Sequence, residues 1–223
     1  MKLPKAIIFD WDNTLVDSWP LIHFAMNETL HEMGMEIWSL AESKQKMHRS
    51  GREMFPDIFG KNWKKAAEFY KNSYRAHHLD KMEFFPGAVE LVDFLFQQEI
   101  PLFVVSNKTG EALRLEAENL KIANKFQEII GAGDAKFDKP HPHPVNLALK
   151  YSDLDPKKDL IWFIGDSIVD VECAINSHCQ PIFVGDVNEI HRDLIEEELK
   201  LQGKEFLCFK GVAALLEELK VKF

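Results

Sequence analysis

Lys5-Ala6-Ile7-Ile8-Phe9-Asp10-Trp11-Asp12-Asn13-Thr14-Leu15 decides the reading of this chain. Its run Ala6 to Phe9 is β-branched and aromatic and stops abruptly at polar residues, the pattern of a buried strand. Two carboxylates, Asp10 and Asp12, stand at the carboxyl end of that strand, with Thr14 just beyond. In an open α/β sheet, ligands bind in the crevice outside the carboxyl ends of the strands. The chemistry is therefore expected there.

Moving outward, Ser18-Trp19-Pro20 supplies an N-cap and an early proline for a helix from Leu21 to Met33, closed by Gly34. Three more helical pieces follow, Leu40 to His48, Arg52 to Phe59 and Trp63 to His77, and no strand signal interrupts them. Pro86-Gly87 punctuates the chain, and beyond it helices and strands alternate. The expected order is helix Ala88 to Gln97, strand Leu102 to Val105, helix Gly110 to Leu120 and a strand near Glu128 to Ile130. Helix Pro144 to Tyr151, strand Leu160 to Ile164, helix Val169 to Asn176 and strand Pro181 to Val184 come next. Helix Glu189 to Leu199, strand Phe206 to Phe209 and helix Val212 to Leu219 close the chain.

Such alternation implies an α/β, doubly wound, mostly parallel sheet covered on both faces. The expected division is a core of residues 1–16 and 84–223, with an all-helical insertion, 17–83, placed after the first strand to act as a lid.

Three strands end in polar residues at one sheet edge: Asp10 and Asp12, then Ser106 and Asn107, then Asp166 and Asp170, while Lys139 lies in a loop between core strands. Bare carboxylates converging there would repel one another, and a divalent cation removes that problem. Few hard oxygen ligands beside a phosphate suit Mg²⁺. Lys139 would offset phosphate charge, and Ser106 would donate to its oxygens. Each residue also has a plainer reading: Asp10, Asp12 and Ser106 are ordinary caps, and Asp170 suits the first turn of a helix.

The 223 residues, 46% hydrophobic, suffice for a proper core, and a formal charge of −9 argues against a general affinity for nucleic acid or anionic lipid. No apolar run approaches the roughly 18 residues of a membrane span, and the N-terminus lacks a signal-peptide pattern, so a cytoplasmic location is expected. The three cysteines, Cys173, Cys179 and Cys208, form no framework and read as small buried hydrophobes. His141 and His143, set among prolines, read as loop histidines. Oligomeric state is left open.

Four motifs in this order resemble the haloacid dehalogenase superfamily of aspartyl-phosphate hydrolases. Asp10 to Thr14 is similar to its D-x-D-x-T motif, Ser106-Asn107 to its second motif, Lys139-Pro140 to its third, and Gly165-Asp166-Ser167-Ile168-Val169-Asp170 to G-D-S-x-x-D. The resemblance implies that Asp10 attacks phosphorus and that Asp12 is the acid and base. It also implies that Asp10, the Asp12 backbone carbonyl and Asp166 hold Mg²⁺ with Asp170 assisting. Thr14 would orient the first loop, and Ser106, Asn107 and Lys139 would bind the phosphoryl group.

The aspartate at position 12 resembles the phosphatases, not the dehalogenases, because only phosphatases have a leaving alcohol to protonate. The insertion resembles the small cap of the branch that contains phosphoglycolate phosphatase, pyrophosphate phosphatase and β-phosphoglucomutase, and within that branch the runs Gly131-Ala132-Gly133-Asp134 and Lys139-Pro140-His141-Pro142 are most similar to phosphoglycolate phosphatases. In caps of this branch a substrate-reading loop stands where Arg49 and Arg52 flank Ser50-Gly51, so one of the two arginines would meet an anionic group on the substrate. The implied substrate is a small phosphorylated metabolite. Two other functions fit less of the pattern: a phosphomutase of the β-phosphoglucomutase kind, and a non-enzymatic module regulated by phosphorylation of Asp10.

Overall fold

A computed structural model of the chain describes residues 2–47, 51–80, 82–185, 196, 199–200 and 203–222, with residues 51–53 described by their backbone. It divides into two compact units, Met1–Val16 with Phe84–Phe223, and Asp17–Glu83.

The first unit is built on six parallel strands. They are β1 (Ala6–Phe9), β4 (Leu102–Thr109), β5 (Glu128–Ala132), β6 (Ile161–Gly165), β7 (Gln180–Val184) and β8 (Leu207–Phe209). Their order across the sheet is β5-β4-β1-β6-β7-β8. Taken in chain order this is the doubly wound sequence, third, second, first, fourth, fifth, sixth, with its reversal between β1 and β6. All four residues of β1 are fully buried, as a central strand covered on both faces requires. Burying Ile7, Ile8 and Phe9 stabilises the fold by about 1.5–3 kcal/mol each.

Its fully described helices include α5 (Ala88–Gln97), α6 (Gly110–Asn119), α7 (His143–Ala148), α8 (Ile168–Asn176) and α9 (Val212–Lys222). Ile8, Phe103, Val105, Ile130 and Phe163 pack with Val145 and Ala148 of α7 and with Cys173 and Ala174 of α8. Because the strands alternate their side chains, Ile7 and Phe9 face the other way, and Phe9 meets Phe126 edge-on at 6.3 Å.

The second unit holds α1 (Trp19–Glu32), α2 (Leu40–Lys46), α3 (Gly51–Phe59) and α4 (Trp63–His77). Met26, Leu30, Phe55, Phe59 and Ala66 form its own core, with Trp38, Trp63 and Tyr70 against it. Ser39 and Glu42 start α2 with a reciprocal capping box.

Several boundaries differ from expectation. Two-residue strands, β2 (Val16–Asp17) and β3 (Glu83–Phe84), pair where the chain leaves and re-enters the first unit; two residues are too few for alternation to signal a strand. Ser18 stands at the N-cap of α1 but its side chain makes no capping bond, and the Trp19 N–H donates to Asp17 Oδ1 instead. Helix α7 ends at Ala148, since Ser152 donates both its N–H and its hydroxyl to the Leu149 carbonyl and closes a turn there. Cys208 is exposed because β8 is an edge strand. The helix expected from Glu189 to Leu199 falls mostly outside the described residues, of which Glu196, Leu199 and Lys200 are helical. Strand β4 runs to Thr109, four residues past the expected Val105, with an irregular register against β5 between Val105 and Thr109. Such bulges re-aim side chains, and this one spans Ser106, Asn107 and Lys108.

Candidate active site

The reversal between β1 and β6 opens the crevice in which the acidic residues meet. Asp10 follows β1, and its N–H extends the ladder to the Ile164 carbonyl at 2.8 Å. The chain then folds back tightly, with the N–H groups of Thr14, Leu15 and Val16 all donating to the Trp11 carbonyl. Asn13 takes φ +61° in this turn, a conformation that asparagine tolerates better than most residues. The turn brings the Thr14 hydroxyl to 3.1 Å from Asp166 Oδ1, to which it donates.

From the far side of the reversal, Asp166 follows β6 and Asp170 lies in the first turn of α8. Gly165 permits the approach, for a Cβ on it would stand 2.4 Å from the Asp170 side chain. Asp170 fills both of its sequence readings at once. Its Oδ2 accepts from the Ser167 N–H and hydroxyl as half of a capping box, and its Oδ1 accepts from Lys139 Nζ at 2.6 Å.

Lys139 bridges the two sides, with Nζ also 2.6 Å from Asp10 Oδ1 and its side chain 3% exposed. Asn107 fixes the lysine's backbone, accepting its N–H at 2.9 Å and donating to its carbonyl at 3.0 Å. Both ends of the Asn107 amide are thereby engaged. Ser106 is buried beside it, and its Oγ accepts the Lys108 N–H at 3.3 Å.

One carboxylate oxygen from each of Asp10, Asp166 and Asp170 lies within 4.8 Å of the others. Burial, then the nearby Asp170 charge, pushes the Asp10 carboxyl up to about 7 against the partial relief of Lys139. Burial and repulsion from Asp10 and Asp170 raise Asp166 as well. Burial works to lower Lys139, but its two carboxylate partners outweigh it and hold the ammonium protonated. Three carboxylates against one lysine leave negative charge uncompensated in a buried place. That donor set fits a hard divalent cation.

A stability measurement checks this electrostatic picture. A raised carboxyl pKa contributes stability that is present below the ordinary value of 3.8 and is lost as pH rises through about 7. Between those limits, in chelator, the wild type is expected to lose melting temperature relative to Asp10→Ala as pH rises. A constant difference would contradict the raised value.

Of the other expected residues, Asp12 turns its side chain to Lys108, with Oδ1 at 2.7 Å from Nζ, and takes no part in the three-carboxylate cluster. Arg49 and the side chain of Arg52 lie outside the described residues. His141 and His143 pack on each other and on Phe137, with His141 Nδ1 accepting the His143 N–H. Gly131-Ala132-Gly133-Asp134 is structural. The Asp134 carboxylate accepts hydrogen bonds from the Gly131 N–H and from both terminal guanidinium groups of Arg114, Nη1 and Nη2, and a Cβ on Gly131 would stand 2.4 Å from Gly110. Sequence reasoning missed Lys108 and Glu116. The available signal was a glutamate on the apolar stripe of α6, beside Leu113 and Ala117.

A family model for haloacid dehalogenase-like hydrolases matches residues 7–184, from β1 to the end of β7. The chain belongs to the haloacid dehalogenase-like hydrolase family. It is 27% identical to a phosphoglycolate phosphatase of Chromobacterium violaceum over 83% of this chain and 86% of that one. It is 26% identical to the pyrophosphatase PpaX of Oceanobacillus iheyensis over 88% and 94%. Among solved structures, a hydrolase of the superfamily from Ehrlichia chaffeensis is 33% identical, covers 99% of this chain and 98% of its own, and has a TM-score of 0.66. A haloacid dehalogenase-like protein from Streptococcus pneumoniae, 24% identical over 98% and 97%, shares the fold with a TM-score of 0.77. Among the described residues no helix is long and apolar enough to cross a membrane.

Proposed function

We propose that this hydrolase is a Mg²⁺-dependent phosphatase of a small phosphorylated metabolite, phosphoglycolate-like, working through a phospho-Asp10 intermediate. The observation that carries the reading is Asp10 itself: a buried carboxylate held by Lys139 within a cluster of two further carboxylates. A solvated cap would have neither the buried lysine nor the raised pKa.

Asp10 and Asp166 with the Asp12 carbonyl would hold Mg²⁺, Asp170 assisting, and the ion would supply the positive charge that keeps Asp10 ionised and offsets that of the phosphoryl oxygens. Asp10, pointed by Lys139, attacks phosphorus as the nucleophile. Lys139 and the Ser106 hydroxyl face the phosphoryl oxygens and stabilise the charge that builds there. Asn107 serves through its grip on the Lys139 backbone, and Thr14 through Asp166. Asp12 gives its proton to the leaving alcohol, then takes one from the water that cleaves the acyl phosphate.

The test is phosphate release with Mg²⁺ and with chelator, over phosphoglycolate, pyrophosphate, sugar phosphates, nucleotides and a chromogenic ester. Metal-dependent turnover is expected, with phosphoglycolate or a similar small anionic ester far ahead. Absence of release from every compound by folded, Mg²⁺-loaded protein would overturn the reading. Mg²⁺ is also expected to raise the melting temperature more at pH 8 than at pH 5.5. Protons compete for Asp10 and Asp166 at the lower pH, and a ligand that binds only the folded state stabilises it. Equal shifts at both pH values would count against binding at these carboxylates.

A further inference from the structure

Asp12 belongs to a closed ring of contacts that is buried on every side but its own. Lys108 lies in the bulge of β4, with its side chain 6% exposed and its ammonium 2.7 Å from Asp12 Oδ1 and 2.5 Å from Glu116 Oε2. Glu116 comes from α6, 1% exposed, and the same Oε2 accepts the Trp11 indole N–H at 2.9 Å. Trp11, fully buried, is the residue joining Asp10 to Asp12. The ring therefore runs Trp11, Glu116, Lys108, Asp12 and back to Trp11 through one peptide bond.

Its chemistry is asymmetric. Glu116 and Lys108 neutralise each other away from water, where an unpaired charge is costly. The Asp12 side chain is 26% exposed and so open to solvent on one side. An aspartate with that freedom would sample several rotamers, but here the Lys108 ammonium, itself tied to Glu116 of α6, restrains it. Glu116 also grips Trp11, so the backbone and the carboxylate of the same short stretch refer to a single fixed oxygen.

We infer that Lys108 is the positioning residue for Asp12, held in place by Glu116 and Trp11, and that this ring aims the Asp12 carboxylate at the oxygen it protonates. The inference rests on the acid and base role proposed for Asp12. Misplacing a reacting group by about 1 Å costs on the order of 100-fold, so loss of Lys108 is expected to slow the Asp12-dependent steps by that amount. Other steps keep their rate.

The test separates those steps by leaving group. In the first, the phosphoryl group passes from the ester oxygen to Asp10. p-Nitrophenolate departs without a proton, whereas an alkoxide takes one from Asp12. In the second, water attacks phosphorus and gives its proton to Asp12, while the bond from phosphorus to the Asp10 oxygen breaks, returning the Asp10 carboxylate and releasing inorganic phosphate. With p-nitrophenyl phosphate, Asp12→Asn is therefore expected to show a rapid burst of one nitrophenolate per chain followed by slow turnover. With an alkyl phosphate it is slow from the start.

Lys108→Met is expected to show the same two patterns, about 100-fold down in steady state, and Lys108→Arg to recover most of the rate. Lys108→Met/Glu116→Gln, which leaves no buried unpaired charge, is expected to behave as Lys108→Met does. If Asp12→Asn bursts while the double variant turns over like wild type, the positioning inference fails and the role of Asp12 stands. If Lys108→Met and the double variant both lose the burst itself, Lys108 is structural and the inference fails. If Asp12→Asn turns over like wild type, the acid and base role fails and the inference falls with it.

Discussion

Asp10→Ala is expected to lower phosphate release by on the order of 10⁴-fold or more, the scale of removing a nucleophile, while leaving the fold intact. Both parts follow from the same geometry. The carboxylate is the group aimed by Lys139, so no neighbour can replace it: Asp170 already spends one oxygen on Ser167 and the other on Lys139, and Asp166 is engaged by Thr14. Removing it also relieves burial and repulsion that push its own pKa up to about 7. At pH 8 in chelator, the melting temperature of the variant is therefore expected to equal or exceed that of the wild type. Phosphate release within tenfold of wild type would remove Asp10 from the chemistry.

Lys139→Met is the second large effect, and here activity and stability fall together. The ammonium sits 2.6 Å from both Asp10 and Asp170 with almost no exposure. Methionine keeps the stem but leaves the buried carboxylates without their cation, a loss worth about 3–5 kcal/mol when one partner of a buried pair is removed. Removing the charge that faces the phosphoryl oxygens costs a further factor on the order of 10²–10³ in turnover. The stability deficit has a direction in pH. It is greatest above pH 7, where Asp10 is ionised, and shrinks toward pH 4 as Asp10 and Asp166, both raised by burial and repulsion, take up protons. Urea denaturation in chelator at three pH values checks it. A deficit that is flat with pH would mean that the lysine acts through packing alone.

The core strands and their succession along the chain were legible because each is a short apolar run ended by polar residues, and because the helices between them carry a 3.6-residue period. Helices α4 and α5 keep their expected bounds, Trp63–His77 and Ala88–Gln97, the latter set by the Pro86-Gly87 break before it. The convergence of Asp10, Asp166 and Asp170 was legible too, since a doubly wound sheet sends the ends of β1 and β6 to one crevice.

Pairings across long sequence separations were not. Nothing in Ser106-Asn107-Lys108 says that the asparagine amide will close on the backbone of Lys139, or that Lys108 will reach Asp12 and Glu116. Those contacts depend on the bulge in β4, which lengthens the strand through this motif and is a property of its register against β5. Likewise, Asp170 as helix cap and Asp170 as partner of Lys139 look like alternatives in one dimension. They coexist because a carboxylate has two oxygens.

The most direct test of the account is to mix Asp12→Asn with substrate and Mg²⁺, quench in acid within a turnover, and locate covalent phosphate by peptide mass spectrometry. One phosphoryl group per chain is expected on Asp10, absent when chelator is present and absent in the Asp10→Ala background. Phosphate on any other residue, or phosphate released at the wild-type rate with none ever bound to Asp10, would contradict it.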